Sequence, residues 1–527
     1  MTARDTDVEV RSVPDVPAPT PRPLRPVLRL VLAAGVALLV VAGLVGRLGL
    51  VGGDAVGAAD NADGARLFCV VGLTPDATDG RAGGHGVVVT EFRTGGPPCR
   101  VPAPVTSGGV VLEATVALAA RLDRSAPAPD GSTRVSLEWL AGVYAVLFGL
   151  GAGVAAAAAL AGSRRRGPAA ALVVLPPLLP LLVVPWWTRF LVSTYGEPAG
   201  LLGTAWVAWG LLAVAVTRPD DRAARGTALG LLAAGAVVVA TAKPGFLPVG
   251  MAAVVACAVV TVGVRRAWRR LPGLVAAVVV VALAASPVLA GIRYQDELYA
   301  SPNTHDLIFT AILPEAGPGA LPAVGLPPEA WRHSGEHFYL DLGRGVPGWE
   351  TTIGARPVET RALARAWLAE HPVVLARMVH RGLVATLRPQ IPYLVSVTAG
   401  PRTVSGTLPV PEFPEAAQRM GVTFRYLDGL PGRWVPPAVV GTALLAAAAT
   451  VLVPRPARRR SPAPGLLRVA GALAAAALGT VLLAVVGDGY VELAKHVWLA
   501  SYLLVVTATV LVASVLAHLT RQAKAPA

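Results

Sequence analysis

The chain has 527 residues, 54% of them hydrophobic and 15% charged, with a mean hydropathy of +0.59. Soluble domains hold about 45–50% apolar and about 25% charged residues, so a water-soluble enzyme is excluded and an integral membrane protein is implied. The net charge of +14 sits in short arginine clusters between apolar runs. That pattern orients a chain in a bilayer and does not suit nucleic-acid binding.

Residues 1–26 are Pro-rich and charged without periodicity, which predicts a disordered cytoplasmic tail. A bilayer core asks for roughly 20 apolar residues per helix. Ten stretches read as spans: about 28–50, 137–161, 168–186, 199–217, 227–242, 250–264, 273–291, 435–453, 469–487 and 497–517. The first reads as an uncleaved helix rather than a signal peptide, despite the small residues at Ala55–Ala59. The fifth and sixth are short and flank Lys243-Pro244, which leaves open two spans or a hairpin that does not fully cross.

One alternating set of connections and the C-terminal tail carries sixteen basic residues: Arg164–Arg166, the arginines at 218, 222 and 225, those at 265–270, those at 455–460, and Arg521 with Lys524. The other short connections carry only Arg189, Lys243 and Lys495. Basic residues stay inside, so both termini are expected in the cytoplasm of a multi-pass protein of the bacterial plasma membrane. The expected fold is all-α and polytopic. Residues 27–291 hold the first seven transmembrane helices with the extracytoplasmic loop 51–136, residues 292–434 form a second extracytoplasmic segment, and residues 435–527 hold the last three helices and a short cytoplasmic tail.

Cys69 and Cys99 lie in the first outer segment, and an oxidising location there predicts a disulfide between them, against the alternative of two free thiols. Val87–Thr90 and its turn-rich flanks leave room for a little β-structure. In the second outer segment, residues 356–388 read as helix, with Leu363, Trp367, Leu368, Leu375, Met378, Val379 and Leu383 at helical spacing and Pro372 opening a second helix. This helical region either lies on the headgroups or packs against the rest of the segment.

The apolar runs contain almost no ionisable side chains away from their ends, unlike ion-coupled transporters, whose polar groups sit at midplane depth. The polar candidates stand on the outer rim. Asp60-Asn61-Ala62-Asp63, followed by Arg66, places two carboxylates at i, i+3, the spacing for a general base and a partner on one turn. A solvated turn is the plainer reading of the same residues. Glu197 stands alone before the fourth span, Lys243 at the mouth of a tight turn, His305-Asp306 at the start of the second outer segment, and Lys495-His496 before the last span. Lys243 suits a lipid phosphate, or merely snorkels. Asp220-Asp221 falls on the cytoplasmic side, and His333 with His337 lacks the order of a zinc-binding helix motif, so neither is taken as a site.

In these motifs the chain resembles the bacterial glycan-biosynthesis hexosyltransferases of the S-layer glycan type, within the GT-C polytopic membrane glycosyltransferases. The likeness rests on Asp60-Asn61-Ala62-Asp63, Ala65-Arg66-Leu67, Ser193-Thr194-Tyr195-Gly196-Glu197-Pro198, Ala242-Lys243-Pro244, His305–Pro314 and Lys495-His496, in that order. Ala62 replaces a Gly and Gly245 a Gln of the family pattern. The resemblance implies transfer of a sugar from a polyprenyl-phosphate donor to a glycan, lipid or protein acceptor at the outer face. On that basis Asp60 is the base, and Asp63 supports it or helps bind acceptor or metal. Arg66 and Lys243 stabilise the phosphate leaving group, while Asn61, Glu197, His305, Asp306 and His496 shape the substrate pocket. No cofactor is implied with certainty; a divalent metal is not favoured, since the motif lacks Asp-x-Asp. A flippase for lipid-linked glycans and a non-catalytic envelope scaffold are the competing readings; the scaffold expects Asp60, Glu197 and Lys243 to face solvent separately.

Overall fold

The computed structural model describes residues 25–52, 55–58, 63–75, 91–122, 131–162, 167–263, 268–388, 391, 396–398, 432–452 and 463–522. The expectations for 1–24, for Asp60-Asn61-Ala62 and for Val87–Thr90 lie outside them.

The chain is mostly helical. After α1 (Pro26–Leu48) come β1 (Val56–Ala58), the single turn α2 (Ala65–Phe68) and strands β2 (Leu73–Pro75) and β3 (Glu91–Thr94). Helix α3 (Ser107–Leu122) and β4 (Arg134–Ser136) complete this region, and β2, β3 and β4 form one antiparallel sheet in that order. The membrane bundle continues with α4 (Leu137–Gly162), α5 (Leu175–Val183), the turn α6 (Pro185–Thr188), α7 (Glu197–Val216), α8 (Arg222–Ala242), α9 (Leu247–Val259) and α10 (Leu271–Asp306). A π-helical stretch, Leu307–Ile312, leads into α11 (Leu313–Ala316). Helices α12 (Pro357–Glu370) and α13 (Pro372–Ala385) are followed by β5 (Ser396–Thr398). The chain returns to the bundle as α14 (Val435–Leu452), α15 (Ala463–Gly487), the turn α16 (Leu493–His496) and α17 (Trp498–Gln522).

Among the described residues seven helices are long and apolar enough to cross a membrane, or eight if the segments 169–183 and 185–191, bent by 84°, make one span. Each of the ten expected stretches is helical over much of its described length, but three are not among the seven: the bent stretch 168–186, and the stretches that hold α9 and α14. Helix α9 has 13 residues, about 20 Å at 1.5 Å per residue, against a hydrocarbon core of about 30 Å. Helix α14 has 18 residues, the short end of the range for a span.

Small residues let α7 and α8 meet backbone to backbone. A methyl at Gly203 would lie 2.5 Å from the Val239 amide nitrogen, and one at Gly235 2.7 Å from that of Val207. The arginine-rich end is closed by its own arginines. Arg225 Nη1 donates to the carbonyls of Val214 (2.9 Å) and Thr217 (3.0 Å), and the Arg222 and Arg225 Nε groups donate to Gly263 and Thr261. Asp221 caps α8 through the Ala224 amide (3.1 Å), and Asp220 pairs with Arg269. The acidic pair is therefore structural.

Three features depart from the sequence expectation. Helix α10 runs to Asp306, about fifteen residues past the expected end of its span, so His305-Asp306 lie in a helix and do not open a loop. Helix α3, inside the first outer segment, packs against α2, α4, α7 and α8, with Ser107 Oγ donating to the Val238 carbonyl at 2.7 Å. Its Gly108-Gly109 start lowers its helix propensity, yet that bareness admits it: Gly108 nests against Leu67, Ala199 and Gly196. The stretch 168–186 breaks at Val184, whose backbone is extended between Pro180 inside α5 and Pro185. The pair α12–α13 matches the expected helices and the Pro372 start, with Leu368, Met378 and Leu383 buried and Leu363 exposed.

Candidate functional site

Opposite the arginine-rich end, four connections meet. The first follows α1: β1 pairs antiparallel with β5, Val56 opposite Thr398, and Gly57 packs so closely on Val192 that a methyl would reach its carbonyl oxygen at 2.8 Å. Asp63 comes next, with Arg66 one turn later on α2 at 3.5 Å. The Cys69–Cys99 disulfide is formed, tying α2 to the loop that leads to α3.

The second connection delivers Glu197 as the first residue of α7, where the helix N-terminus favours a carboxylate. The third delivers Lys243, extended between α8 and the Pro244–Phe246 turn. Lys243 Nζ donates to Glu197 Oε1 at 3.0 Å, both side chains largely buried. Glu197 Oε2 is buried and has no hydrogen-bond partner among the described residues.

The fourth connection precedes α17. Lys495 Nζ pairs with Asp63 and, at 2.9 Å, with Glu492 Oε2, and lies 6.0 Å from the centre of the Tyr195 ring. Two left-handed residues shape this turn. Glu492 has φ 49°, a costly conformation for a side-chain-bearing residue that is found where structure over-determines it. Gly489, at φ 64°, touches the Asp306 carbonyl so closely that a methyl would lie 2.2 Å from it. The Tyr490 amide donates to Thr310 Oγ1 at 2.9 Å, which docks the turn onto the π-helical stretch.

Asp63, Glu197 and Glu492 thus alternate with Arg66, Lys243 and Lys495 in one network. Burial alone would raise the Asp63 pKa, but Arg66, Lys495 and Lys243 outweigh it and hold the carboxyl well below the usual carboxylate range. Burial would lower Lys495, and Asp63 and Glu492 carry it above its ordinary value. For His496, burial comes first and Lys243 and Lys495 add to it, pushing the imidazole below its ordinary pKa; Asp488, at 3.3 Å, offsets this in part.

A cleft opens over this network. Arg66 and Lys243, next to Pro244, form its polar end, Ala103, Pro104 and Thr106 ahead of α3 form one wall, and Pro287, Val288 and Gly291 of α10 form another. Beyond these walls the surface is apolar and exposed, with Val105, Leu289 and Ile292 facing outward. A pocket that presents two carboxylate-paired cations beside such a surface suits an anionic headgroup on an apolar tail.

Of the residues expected at a site, Asp63, Arg66, Glu197 and Lys243 come together. His496 stands beside them, paired with Asp488. Asp60 and Asn61 lie outside the described residues. His305 and Asp306 are buried elsewhere, at the C-terminal end of α10. His305 stacks on Phe309 (4.6 Å) against Phe338 and Trp349, and Asp306 Oδ1 accepts from the Phe338 amide at 2.7 Å. They brace the wall rather than line the cleft. His333 bonds Glu336 at 2.7 Å, and no three potential metal ligands gather among the described residues. Sequence reasoning left Glu492, Tyr294 and Gln295 aside and gave Lys495 no role. The scarcity of lysine was the available signal for Lys495, since only three occur in the chain.

The family model for the YfdI N-terminal transmembrane domain matches residues 24–351. The chain belongs to this family. The matched stretch includes Asp63, Arg66, Glu197, Lys243 and all of α10, whereas Lys495 and Glu492 join the network from beyond it. No curated protein and no solved structure matches the chain.

Proposed function

We propose that the chain is an integral membrane glycosyltransferase of the GT-C type, moving a sugar from a polyprenyl-phosphate donor to a cell-envelope acceptor at the outer face of the plasma membrane, with both termini cytoplasmic. The observation that carries this reading is the convergence of Arg66 and Lys243 at one end of a cleft beside exposed apolar residues. A phosphate would meet two cations there while its prenyl chain stays among apolar residues. The burial of Glu197 and Lys243 in one ion pair disfavours a scaffold, which expects them to face solvent separately.

In the proposed reaction an acceptor hydroxyl oxygen attacks the anomeric carbon as the bond from that carbon to the phosphate oxygen breaks. The hydroxyl proton passes to a carboxylate, and polyprenyl phosphate departs against Arg66 and Lys243, whose charge is worth most as negative charge grows on the leaving oxygen. Asp63 has both oxygens in ion pairs, with Arg66 and Lys495, which suits a brace better than a base. Asp60 remains the leading base, and Glu197 holds Lys243 in place.

The test is transfer of labelled sugar from polyprenyl phosphate by membranes carrying the chain. Asp60→Asn and Lys243→Ala are each expected to lower the rate by about a hundredfold or more, with Lys243→Arg recovering part of it. Parent-level transfer by both variants would overturn the residue roles; a parent chain that transfers nothing would overturn the class.

A further inference from the structure

One wall of the cleft and the helix that continues beyond it carry side chains that phosphate binding leaves unused. Helix α10 extends beyond its apolar stretch, and there Gly291, Tyr294, Gln295 and Tyr299 recur at spacings of three and four, forming one stripe. Gly291, Tyr294 and Gln295 line the cleft, and Tyr299 stands one turn further along the same face. A third ring joins from the segment Phe338–Leu340, which packs on α10 and is pinned by the Phe338 amide on Asp306. Tyr339 in this segment is 56% exposed.

The loop after Tyr339 is held firmly: Asp341 accepts from the amides of Gly343 (2.8 Å) and Gly345 (2.9 Å). The Tyr339 hydroxyl is pushed up to about 12, by burial first and then by Asp306, Tyr299, Glu492 and Asp63. It therefore stays a hydrogen-bond donor in the field of the same carboxylates that hold the network. Tyr294 and Tyr299 are half-buried and lie near Arg66.

Flat rings offer an apolar face to the C–H side of a pyranose, while phenol and carboxamide groups meet its hydroxyls at the ring edge. Tyrosine also loses little rotamer entropy on binding. Neutral polar groups combined with rings suit a polyhydroxylated ligand, whereas a lipid acceptor would want a second unbroken apolar wall.

We propose that Tyr294, Gln295, Tyr299 and Tyr339 form the subsite for a saccharide acceptor, presenting its hydroxyl toward the carboxylates that pair with Arg66 and Lys243. This rests on the transferase reading.

The deciding experiment loads nanodiscs containing the full chain with undecaprenyl-phosphate carrying radiolabelled hexoses. Label is chased into protease-treated envelope polysaccharide, envelope protein or envelope lipid. Label is expected in the polysaccharide, with Tyr339→Ala raising the KM for that fraction about tenfold, a loss of about one good contact. Tyr339→Phe, which keeps the ring but loses the hydroxyl's hydrogen bond, raises it by about threefold, between the parent and the alanine variant, and the KM for the donor does not move. Label entering protein or lipid instead overturns the saccharide assignment while leaving the transferase reading intact. So does an unchanged polysaccharide KM in Tyr339→Ala. A parent chain that labels no fraction overturns the transferase reading and this subsite with it. Tyr339 is exposed, so its truncation leaves the fold in place; Tyr294→Ala, cut from the cleft wall, serves as the second variant.

Discussion

Lys495 carries two carboxylates on one buried ammonium, and its loss would strand both. Removing one partner of a buried ion pair is far costlier than the pair's own net worth. Lys495→Met is expected to cost about 3 kcal/mol of stability, read as a lowered thermal midpoint in detergent; a variant as stable as the parent would dismiss Lys495 as the centre of the network. The acid response separates two neighbours. His496 has a folded-state pKa below its ordinary value, so as pH falls below about 6.5 the unfolded chain takes up a proton that the folded chain resists, and stability drops. Asp63 is depressed instead. Its contribution is present above the ordinary carboxylate range and lost only as pH falls below it. Between about pH 7 and 5 the thermal midpoint should therefore decline through His496, and His496→Gln should flatten that decline. An unchanged slope in the variant would assign the loss elsewhere. Asp63, Arg66, Glu197 and Lys243 were legible in the sequence as rare polar residues beside apolar runs. Glu492 was not, because its role depends on a left-handed backbone that places its carboxylate on Lys495.

At the scale of elements, apolar run length locates the helices but is blind to what happens beyond the bilayer. Helix α10 continues as a polar helix because nothing in Arg293–Asp306 stops it except Pro302, which it absorbs. That continuation, unreadable from hydropathy, builds the wall on which Tyr294 and Gln295 stand. Helix α3 was hidden for the opposite reason: a Gly-Gly start reads as a loop until α7 is there to nest against it. The α7–α8 contact shows how tightly such fits are set. Gly203→Val would drive a branched side chain into the Val239 backbone and is expected to cost about 3 kcal/mol, the upper end for overpacking. Gly226→Ala, on the same pair of helices but with open space around it, should leave the melting temperature where it is or raise it slightly. Equal behaviour of the two variants would mean that the two helices separate more readily than their packing implies.

For the whole molecule, the two ends differ in chemistry as well as in charge. At one, Arg222 and Arg225 are spent on backbone carbonyls that end helices α7 and α9 and close the bundle. At the other, the cations are paired with carboxylates around an open cleft. The arginine bias that separates the ends was plain in the sequence, and it predicts which end faces the cytoplasm. The chain offers a clean background for testing this, since Cys69 and Cys99 are joined and Cys257 is buried. A cysteine placed at Asp220, exposed beside the arginines, should react with an impermeant maleimide only after the cells are opened. One placed at Glu113, exposed on α3, should react in intact spheroplasts. The reverse pattern would turn the molecule over, put the cleft on the cytoplasmic side and remove the outer-face donor from the reaction. Labelling of both from outside would break the link between basic connections and sidedness on which the orientation depends.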